Sequence, residues 1–403
     1  MACLTKFAHH DVHGRLPHAQ EILISLGSVQ LMPTLRRDIV DAQNPGVYHC
    51  ISRCVRRESL LSSSARRQWI VQRLEKLAEY LAIDVIAFAV MANHLHVLLR
   101  IRPDVVRSWS DREVAIRRIA ILPNRRNRSR NGIALDAKPT ENEIAAILSS
   151  PSLLERARRD LSDLGFFHRL LKEPCARMWN REDGVTGHFW EGRFLSPRVL
   201  DEAALLRVSR YIELNEIRAR SADSIPTSVW TSARAQWKKM VAVLGDLLPD
   251  RRKALDALDT TAWEPVFPCR SNPSAASSDR CPHQRELHTP LVDYLLELDL
   301  HGRFRHPSKP GFISGVTRHF IDELHASLVE LSDAAGALCD EIREQLLRRL
   351  RRLIQSNVDH QRTGFLPIRE HHHFGSCYGS NDAVHREALR RGVSRLIPIR
   401  IVE

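Results

Sequence analysis

The chain has 403 residues, with 60 Lys plus Arg against 48 Asp plus Glu and a formal net charge of +12. This length allows two or three domains. The positive charge favours a polyanionic partner, and nucleic acid is the leading candidate. No run approaches the ~18 apolar residues that a membrane span needs, and the first ten residues lack the apolar core of a secretory signal. We therefore expect a cytoplasmic, nucleoid-associated protein with no membrane partner and no small-molecule substrate.

The cysteines are scattered along the chain. No two of them form a Cys-x-x-Cys pair, so the sequence indicates neither a zinc ribbon nor a disulfide framework. Reduced thiols in a cytosolic protein are the simplest interpretation.

The first part of the chain predicts one strand and one helix. Residues 1–31 have weak periodicity, and organised sequence begins just after Met32. An N-terminal extension is expected over residues 1–44. A turn at Pro45-Gly46 precedes an alternating stretch that predicts a strand over residues 47–53. Apolar residues then recur at spacings of three and four over residues 65–82, which predicts an amphipathic helix.

A β-hairpin is predicted over residues 83–101, where two apolar runs flank a Met-Ala-Asn break. His94 and His96 open the second strand two residues apart, so their imidazoles share one face, roughly 6–7 Å apart along the strand. Residues 95, 97 and 99 take the opposite face and are expected to enter a core. The histidine pair is a candidate half of a metal site, although a His-x-His pattern alone is weak and such side chains are more often merely hydrogen-bonded.

Residues 102–182 are expected to be an insertion between sheet elements. Their first part is polar and basic, and it contains the arginines Arg125, Arg126, Arg128 and Arg130. Such a run is a candidate phosphate-contacting arm, with a solvated loop as the alternative. Helical periodicity returns over residues 141–182.

A further strand is expected over residues 194–200, followed by a helix that begins at the N-cap Asp201 and runs to about residue 220. This helix carries Tyr211 and Asn215 four residues apart, which places their side chains one above the other on one face. A helix and a Pro/Ser-rich linker follow over residues 241–290. Residues 291–403 are expected to form a largely helical C-terminal region.

Four stretches of the sequence carry a resemblance to a known family. In order and spacing they are similar to motifs of the IS200/IS605-like single-tyrosine (Y1) transposases of the HUH endonuclease superfamily, most of all those of the REP-associated tyrosine transposase branch. The four stretches are residues 48–53, 91–99, 187–194 and 211–219. The resemblance covers about residues 45–235, and we predict a Y1 transposase domain over residues 45–240.

The resemblance implies an α/β (α+β) fold with a ferredoxin-like core around a central antiparallel sheet. It also implies that His94 and His96 are the metal-binding histidine pair, that Tyr211 is the catalytic nucleophile and that Asn215 is a third metal ligand. The metal would be Mg²⁺ or Mn²⁺. The implied reaction cleaves and rejoins hairpin-flanked single-stranded DNA through a 5′-phosphotyrosine intermediate.

Some positions depart from the family pattern. Ala92 replaces a common proline, which should only loosen the turn, and Cys54 stands where glycine is frequent. Glu216 replaces the proline that usually follows the position of Asn215, so the helix is expected to continue and to change how Asn215 is aimed.

The expected partner is single-stranded or hairpin DNA, and a homodimer is one assembly that the resemblance allows. Phosphates are expected to meet arginines, and bases to stack on aromatic rings. The candidate DNA contacts are Arg53, Trp190, Arg193 and Arg218, together with Arg125, Arg126, Arg128 and Arg130. For Trp190, ordinary core packing is the alternative.

Two other functions compete with an active nuclease. The first is a non-cutting nucleic-acid-binding regulator on the same core, which would need no intact Tyr211, His94 and His96 together. The second is a zinc hydrolase that uses the histidine pair, which is weaker because no neighbouring carboxylate completes a set of three ligands.

Overall fold

The computed structural model describes residues 40–121, 139–270, 289–306, 309–360 and 377–391, without the side chains of residues 333 and 356–360. The predicted arginine run and most of the predicted N-terminal extension lie outside this part of the chain. No helix within it is both long and apolar enough to span a bilayer.

A five-stranded sheet lies at the centre, in the order β2-β3-β1-β4-β5. The strands are β1 (Gly46–Arg53), β2 (Ile83–Val90), β3 (His94–Ile101), β4 (Arg198–Val199) and β5 (Cys377–Tyr378). The pairs β1–β3, β2–β3 and β1–β4 are antiparallel, whereas β4–β5 is parallel. The first four strands therefore have the order and directions of a ferredoxin-like βαββαβ sheet, and the predicted mixed α/β fold is confirmed.

The helices account for most of the remaining described chain. They are α1 (Ser64–Tyr80), α2 (Pro103–Ser108), α3 (Asp111–Ile121), α4 (Glu141–Leu148), α5 (Pro151–Asp160), α6 (Leu164–Glu182), α7 (Glu202–Glu213), α8 (Asn215–Arg218), α9 (Ser232–Leu247), α10 (Arg251–Thr260), α11 (Leu291–Arg303), α12 (Phe320–Leu331), α13 (Gly336–His360) and α14 (Asn381–Arg391).

One face of the sheet packs against α1 and α6. The side chains of Leu95, Val97 and Leu99 are fully buried on this face, as the alternation of the hairpin predicts. Helix α6 falls inside the predicted insertion, yet its apolar side chains, among them Phe167 and Leu171, are part of the same core. It is therefore the second crossover helix of the βαββαβ unit.

The opposite face of the sheet packs against α7 and helices from the C-terminal half of the chain. Leu98 and Ile212 share a core with residues of α9 to α13. Trp263 is fully buried in this core, and its ring stacks on Tyr294 of α11 with centroids 4.3 Å apart. The segments predicted as linker and C-terminal region thus bury apolar surface together with the predicted transposase domain.

The helix predicted over residues 201–220 is interrupted. It begins as expected, since the Asp201 carboxylate accepts a hydrogen bond from the Ala204 amide at 2.7 Å. It ends at Glu213, and α8 follows after Leu214. The Asn215 amide group donates back to carbonyl oxygens of the preceding turn, and such side-chain bonds compete with the backbone ladder and bend helices.

Glu216, which replaces the family's proline, is buried in the structure. Its carboxylate accepts a hydrogen bond from the Trp230 amide at 2.8 Å and lies 3.8 Å from the Arg67 guanidinium. The side chain therefore ties α8 to the loop before α9, and the expected continuous helix does not form.

Candidate active site

Three imidazoles meet on the sheet face that α7 covers. His96 lies opposite Ile51 in the register of β1 and β3, and His49 lies opposite Leu98, so both histidines point to the same side. The ring centroids of His94 and His96 are 4.8 Å apart, and those of His49 and His96 are 5.1 Å apart. The period-2 alternation of two neighbouring strands thus builds the cluster.

The phenol of Tyr211 lies over these imidazoles. Its ring centroid is 5.8 Å from that of His96 and 6.2 Å from that of His49, both in edge-on geometry. Tyr211 is half-buried, because helix α7 packs its apolar side on the sheet and carries the tyrosine at the margin of that contact. The structure therefore brings the predicted nucleophile and the predicted histidine pair together.

Hydrogen bonds fix how the predicted histidine ligands are presented. His94 Nδ1 donates to Asn93 Oδ1 at 2.6 Å, which leaves the lone pair of that imidazole on Nε2. His96 Nδ1 lies 2.9 Å from His49 Nε2, so the ring nitrogen of His96 that remains for a metal ion is also Nε2. A ligating histidine whose other ring nitrogen is hydrogen-bonded is the usual arrangement in metal sites.

Sequence reasoning missed two residues of this network, His49 and Tyr378. His49 Nδ1 lies 3.1 Å from the Tyr378 hydroxyl, and Tyr378 comes from β5 near the end of the chain. The alternation of β1 could have placed His49 on the face of His96 once their pairing was known. No signal in the sequence connected Tyr378 with the site.

Burial keeps the central imidazoles neutral. Desolvation lowers the pKa of His49 to about 3. Burial, followed by the charges of neighbouring residues, also lowers the pKa of His96 well below its usual value. The neutral imidazole is the form that binds metal ions, so both side chains are in the state that the site needs near neutral pH.

Asn215 directs its carbonyl oxygen into the site. Its Nδ2 donates to the Tyr211 and Ile212 carbonyls at 2.9 and 3.1 Å, which turns Oδ1 away from the helix. The Lys309 ammonium donates to this Oδ1 at 3.1 Å and to the Tyr211 hydroxyl at 3.5 Å. A cation of the chain itself therefore lies between the predicted nucleophile and the predicted third ligand.

The donor set fits a divalent cation with two imidazoles and one amide oxygen. Among the described residues, no group of three or more His, Cys, Asp or Glu side chains is arranged to hold a metal ion. The candidate donors are thus two imidazole nitrogens and one amide oxygen, and water would complete the coordination of a bound ion.

The predicted DNA contacts are in different environments. Arg53 is half-buried and lies opposite His94 in the strand register, and Arg193 is exposed. Both remain candidates for phosphate contact. The Trp190 side chain is only 7% exposed, its Nε1 donates to the Lys172 carbonyl and its ring packs on Phe189. This burial favours core packing, the alternative interpretation, and base stacking on Trp190 stays a prediction.

Arg218 has its guanidinium engaged within the protein. It donates to the carbonyl oxygens of His301, Phe304 and Gly311. Desolvation lowers the pKa of this side chain. The predicted DNA contact of Arg218 stays a prediction. In the structure, the bonds of its guanidinium connect α8 to the segment after α11. The arginine run with Arg125, Arg126, Arg128 and Arg130 lies outside the described residues.

Part of this chain is similar to known proteins. A solved structure of a REP-associated tyrosine transposase bound to a REP hairpin is similar with 13% identity and a TM-score of 0.29, covering 50% of this chain and 82% of that one. No curated protein gives a significant match. The family model described as "Transposase IS200 like" matches residues 43–109, which include β1, α1 and the hairpin with His94 and His96. This match confirms the predicted resemblance of the chain to the IS200-like transposases.

Proposed function

We propose that this chain is a metal-dependent single-strand DNA endonuclease and transposase that uses Tyr211 as its nucleophile. The observation that carries the proposal is the distance of 5.8 Å between the ring centroids of Tyr211 and His96, residues from a helix and a strand far apart in the sequence. A DNA-binding protein that does not cut would have no need to place a phenol against a histidine pair.

The proposed reaction is a transesterification at a phosphodiester. The Tyr211 oxygen forms a bond to phosphorus as the bond from phosphorus to the 3′ oxygen breaks. The phenol proton leaves, and the departing 3′ oxygen takes up a proton to become a free hydroxyl. The protein is then joined to the 5′ phosphate, and a later attack by a 3′-hydroxyl rejoins the strand without loss of bond energy.

The residues of the chain have separate tasks in this reaction. Free tyrosine has a pKa near 10, so the attacking oxygen needs assistance at neutral pH. His94 Nε2, His96 Nε2 and Asn215 Oδ1 would hold a divalent ion, Mg²⁺ or Mn²⁺. When bound, such an ion neutralises negative charge at the scissile phosphate. The bonds to Asn93 and His49 keep both imidazoles oriented for this purpose.

The proposed substrate is hairpin-flanked single-stranded DNA, as the resemblance over residues 45–235 implies. The formal net charge of +12 favours a polyanion. Arg53 beside His94 and the exposed Arg193 are available to contact phosphates near the site. A cytoplasmic location with the nucleoid and a homodimer remain part of this proposal.

The test uses DNA labelled at one end or the other, so that the fragments on both sides of the cleavage point can be followed. Hairpin DNA labelled at its 3′ or 5′ end is incubated with the protein and Mn²⁺ and separated under denaturing conditions. We expect the 3′ label to migrate with the protein and the 5′ label to appear in a shorter strand that ends in a 3′-hydroxyl. Tyr211→Phe should abolish the adduct while DNA binding persists.

Tyr80→Phe is a matched control, because Tyr80 is a half-buried tyrosine on the other side of the sheet. It should form the adduct at the rate of the unmodified protein. Cleavage by Tyr211→Phe at that same rate would refute the assignment of the nucleophile. Hairpin binding by the unmodified protein with no adduct for any hairpin or metal would favour the non-cutting regulator.

A further inference from the structure

Lys309 reaches the proposed active site from outside the region that resembles the transposases. Its ammonium lies 3.5 Å from the Tyr211 hydroxyl and 4.6 Å from the centroid of the same ring. It also donates to Asn215 Oδ1 at 3.1 Å. One cation thus contacts the attacking oxygen, the face of the aromatic ring and the proposed third ligand.

The segment that carries Lys309 is docked on α8 by its backbone. Gly311 donates its amide to the Arg218 carbonyl at 3.1 Å, and the Arg218 guanidinium bonds to carbonyls on both sides of Lys309. A Cβ added at Gly311 would lie 1.9 Å from the Ile217 carbonyl oxygen, so only glycine permits this approach. The main chain two residues from Lys309 is therefore held against the helix that follows Tyr211.

We infer that Lys309 is a further catalytic residue of the proposed reaction, in which its ammonium stabilises negative charge on the Tyr211 oxygen. This inference rests on the proposed function. During cleavage, charge appears on that oxygen as the phenol proton leaves. During rejoining, the same oxygen departs from phosphorus and carries charge again. A donor fixed beforehand at the atom where charge develops lowers both barriers without moving.

Two other roles for Lys309, a phosphate contact and an obstruction of the site, predict different results. A phosphate contact would change mainly the affinity for DNA. An obstruction that occupies Asn215 would slow the reaction, so its removal would speed adduct formation. Charge stabilisation at the attacking oxygen instead predicts that cleavage and rejoining slow by the same factor, with little change in the fraction of adduct at equilibrium.

The experiment measures single-turnover rates with the full chain, hairpin DNA and saturating Mn²⁺. We expect Lys309→Met to slow both adduct formation and its reversal by an added 3′-hydroxyl strand about 10²-fold, the lower end for loss of one such donor. Lys309→Arg keeps the cation and should recover most of the rate. Lys253→Met is the matched control, since Lys253 is 70% exposed and lies in α10 away from the site.

Each outcome decides the inference. If the unmodified protein forms no adduct, the proposed function fails and the inference fails with it. If it does and Lys309→Met reacts at the same rate, the inference alone is refuted, and a faster rate refutes it in favour of obstruction. If Lys309→Met also lowers the thermal stability, its rate is compared with that of Lys309→Arg. Both variants lack the native side chain, but only Lys309→Arg retains the charge, so a difference between their rates reports the effect of the charge.

Discussion

Replacing His49 tests whether the buried imidazole chain prepares His96 for metal binding. For His96 to present a lone pair on Nε2, its Nδ1 must carry the proton and donate to His49 Nε2, 2.9 Å away. His49 Nδ1 must then donate to the Tyr378 oxygen at 3.1 Å. His49→Phe removes the acceptor, so His96 can adopt the other tautomer, which places a proton where the metal would bind.

The expected loss of metal affinity follows from the role of His49 as the hydrogen-bond partner of the proposed ligand His96. Removal of a partner that orients a ligating histidine typically costs 10- to 100-fold in metal affinity, or about 1.4 to 2.8 kcal/mol. His49 is only 1% exposed, so water cannot replace the missing acceptor, and we expect the upper half of that range for His49→Phe. Tyr378→Phe keeps the contact between the two imidazoles and should cost less.

Titration of the protein with Mn²⁺, followed by the electron paramagnetic resonance signal of the free ion, measures this affinity. His188→Phe is the control, because His188 is exposed and lies outside the imidazole cluster. The Mn²⁺ concentration for half-maximal adduct formation should rise by the same factor as the dissociation constant. Unchanged Mn²⁺ affinity for His49→Phe, together with its loss for His96→Ala, would refute the proposed control of the tautomer by His49.

Three further outcomes are expected. Trp263→Ala should lower the free energy of unfolding by about 3 to 5 kcal/mol in urea, because it empties a fully buried site, whereas Val316→Ala at a 94% exposed position should change it by less than about 0.5 kcal/mol. Burial, and then the charge of Asp299, raises the pKa of Glu323 to about 7, so Glu323→Gln should raise the melting temperature at pH 8. This gain should disappear as the pH falls to 4, because below the unfolded pKa the carboxyl is protonated in both states, and partial exposure keeps it modest. Serine in place of the arginines within residues 125–130 should reduce the slope of log affinity against log salt by about 0.7 for each phosphate of a single strand that these arginines neutralise, and an unchanged slope would exclude the predicted arm.

The hairpin and its histidines could be predicted because their signals are local. An alternation with period two determines which face each side chain of β3 takes, and the short break between the two runs determines which strand pairs with it. The capped start of α7 is likewise local, since Asp201 bonds to an amide three residues away. These features placed Tyr211, His94 and His96 on elements that the structure brings together.

The remainder of the site depends on contacts between distant parts of the chain. Tyr378 and Lys309 reach it from segments without any motif, and only tertiary packing sets their positions. The burial of Trp190 could not be predicted, because the position of an aromatic residue beside glycines does not reveal its exposure. The end of α7 was misplaced because the amide of Asn215, the first residue of α8, bonds back to carbonyl oxygens of α7, a competition that helical periodicity does not show.

The distance along the chain between His49 and Tyr378 has a consequence for the newly made protein. The two residues are 329 positions apart, so at about 5 to 20 residues per second the ribosome needs roughly 15 to 65 seconds to pass from one to the other. Throughout that interval the nascent polypeptide lacks the strand that completes its imidazole chain. Translation therefore imposes a delay between the first appearance of the histidine pair and the assembly of a finished catalytic centre.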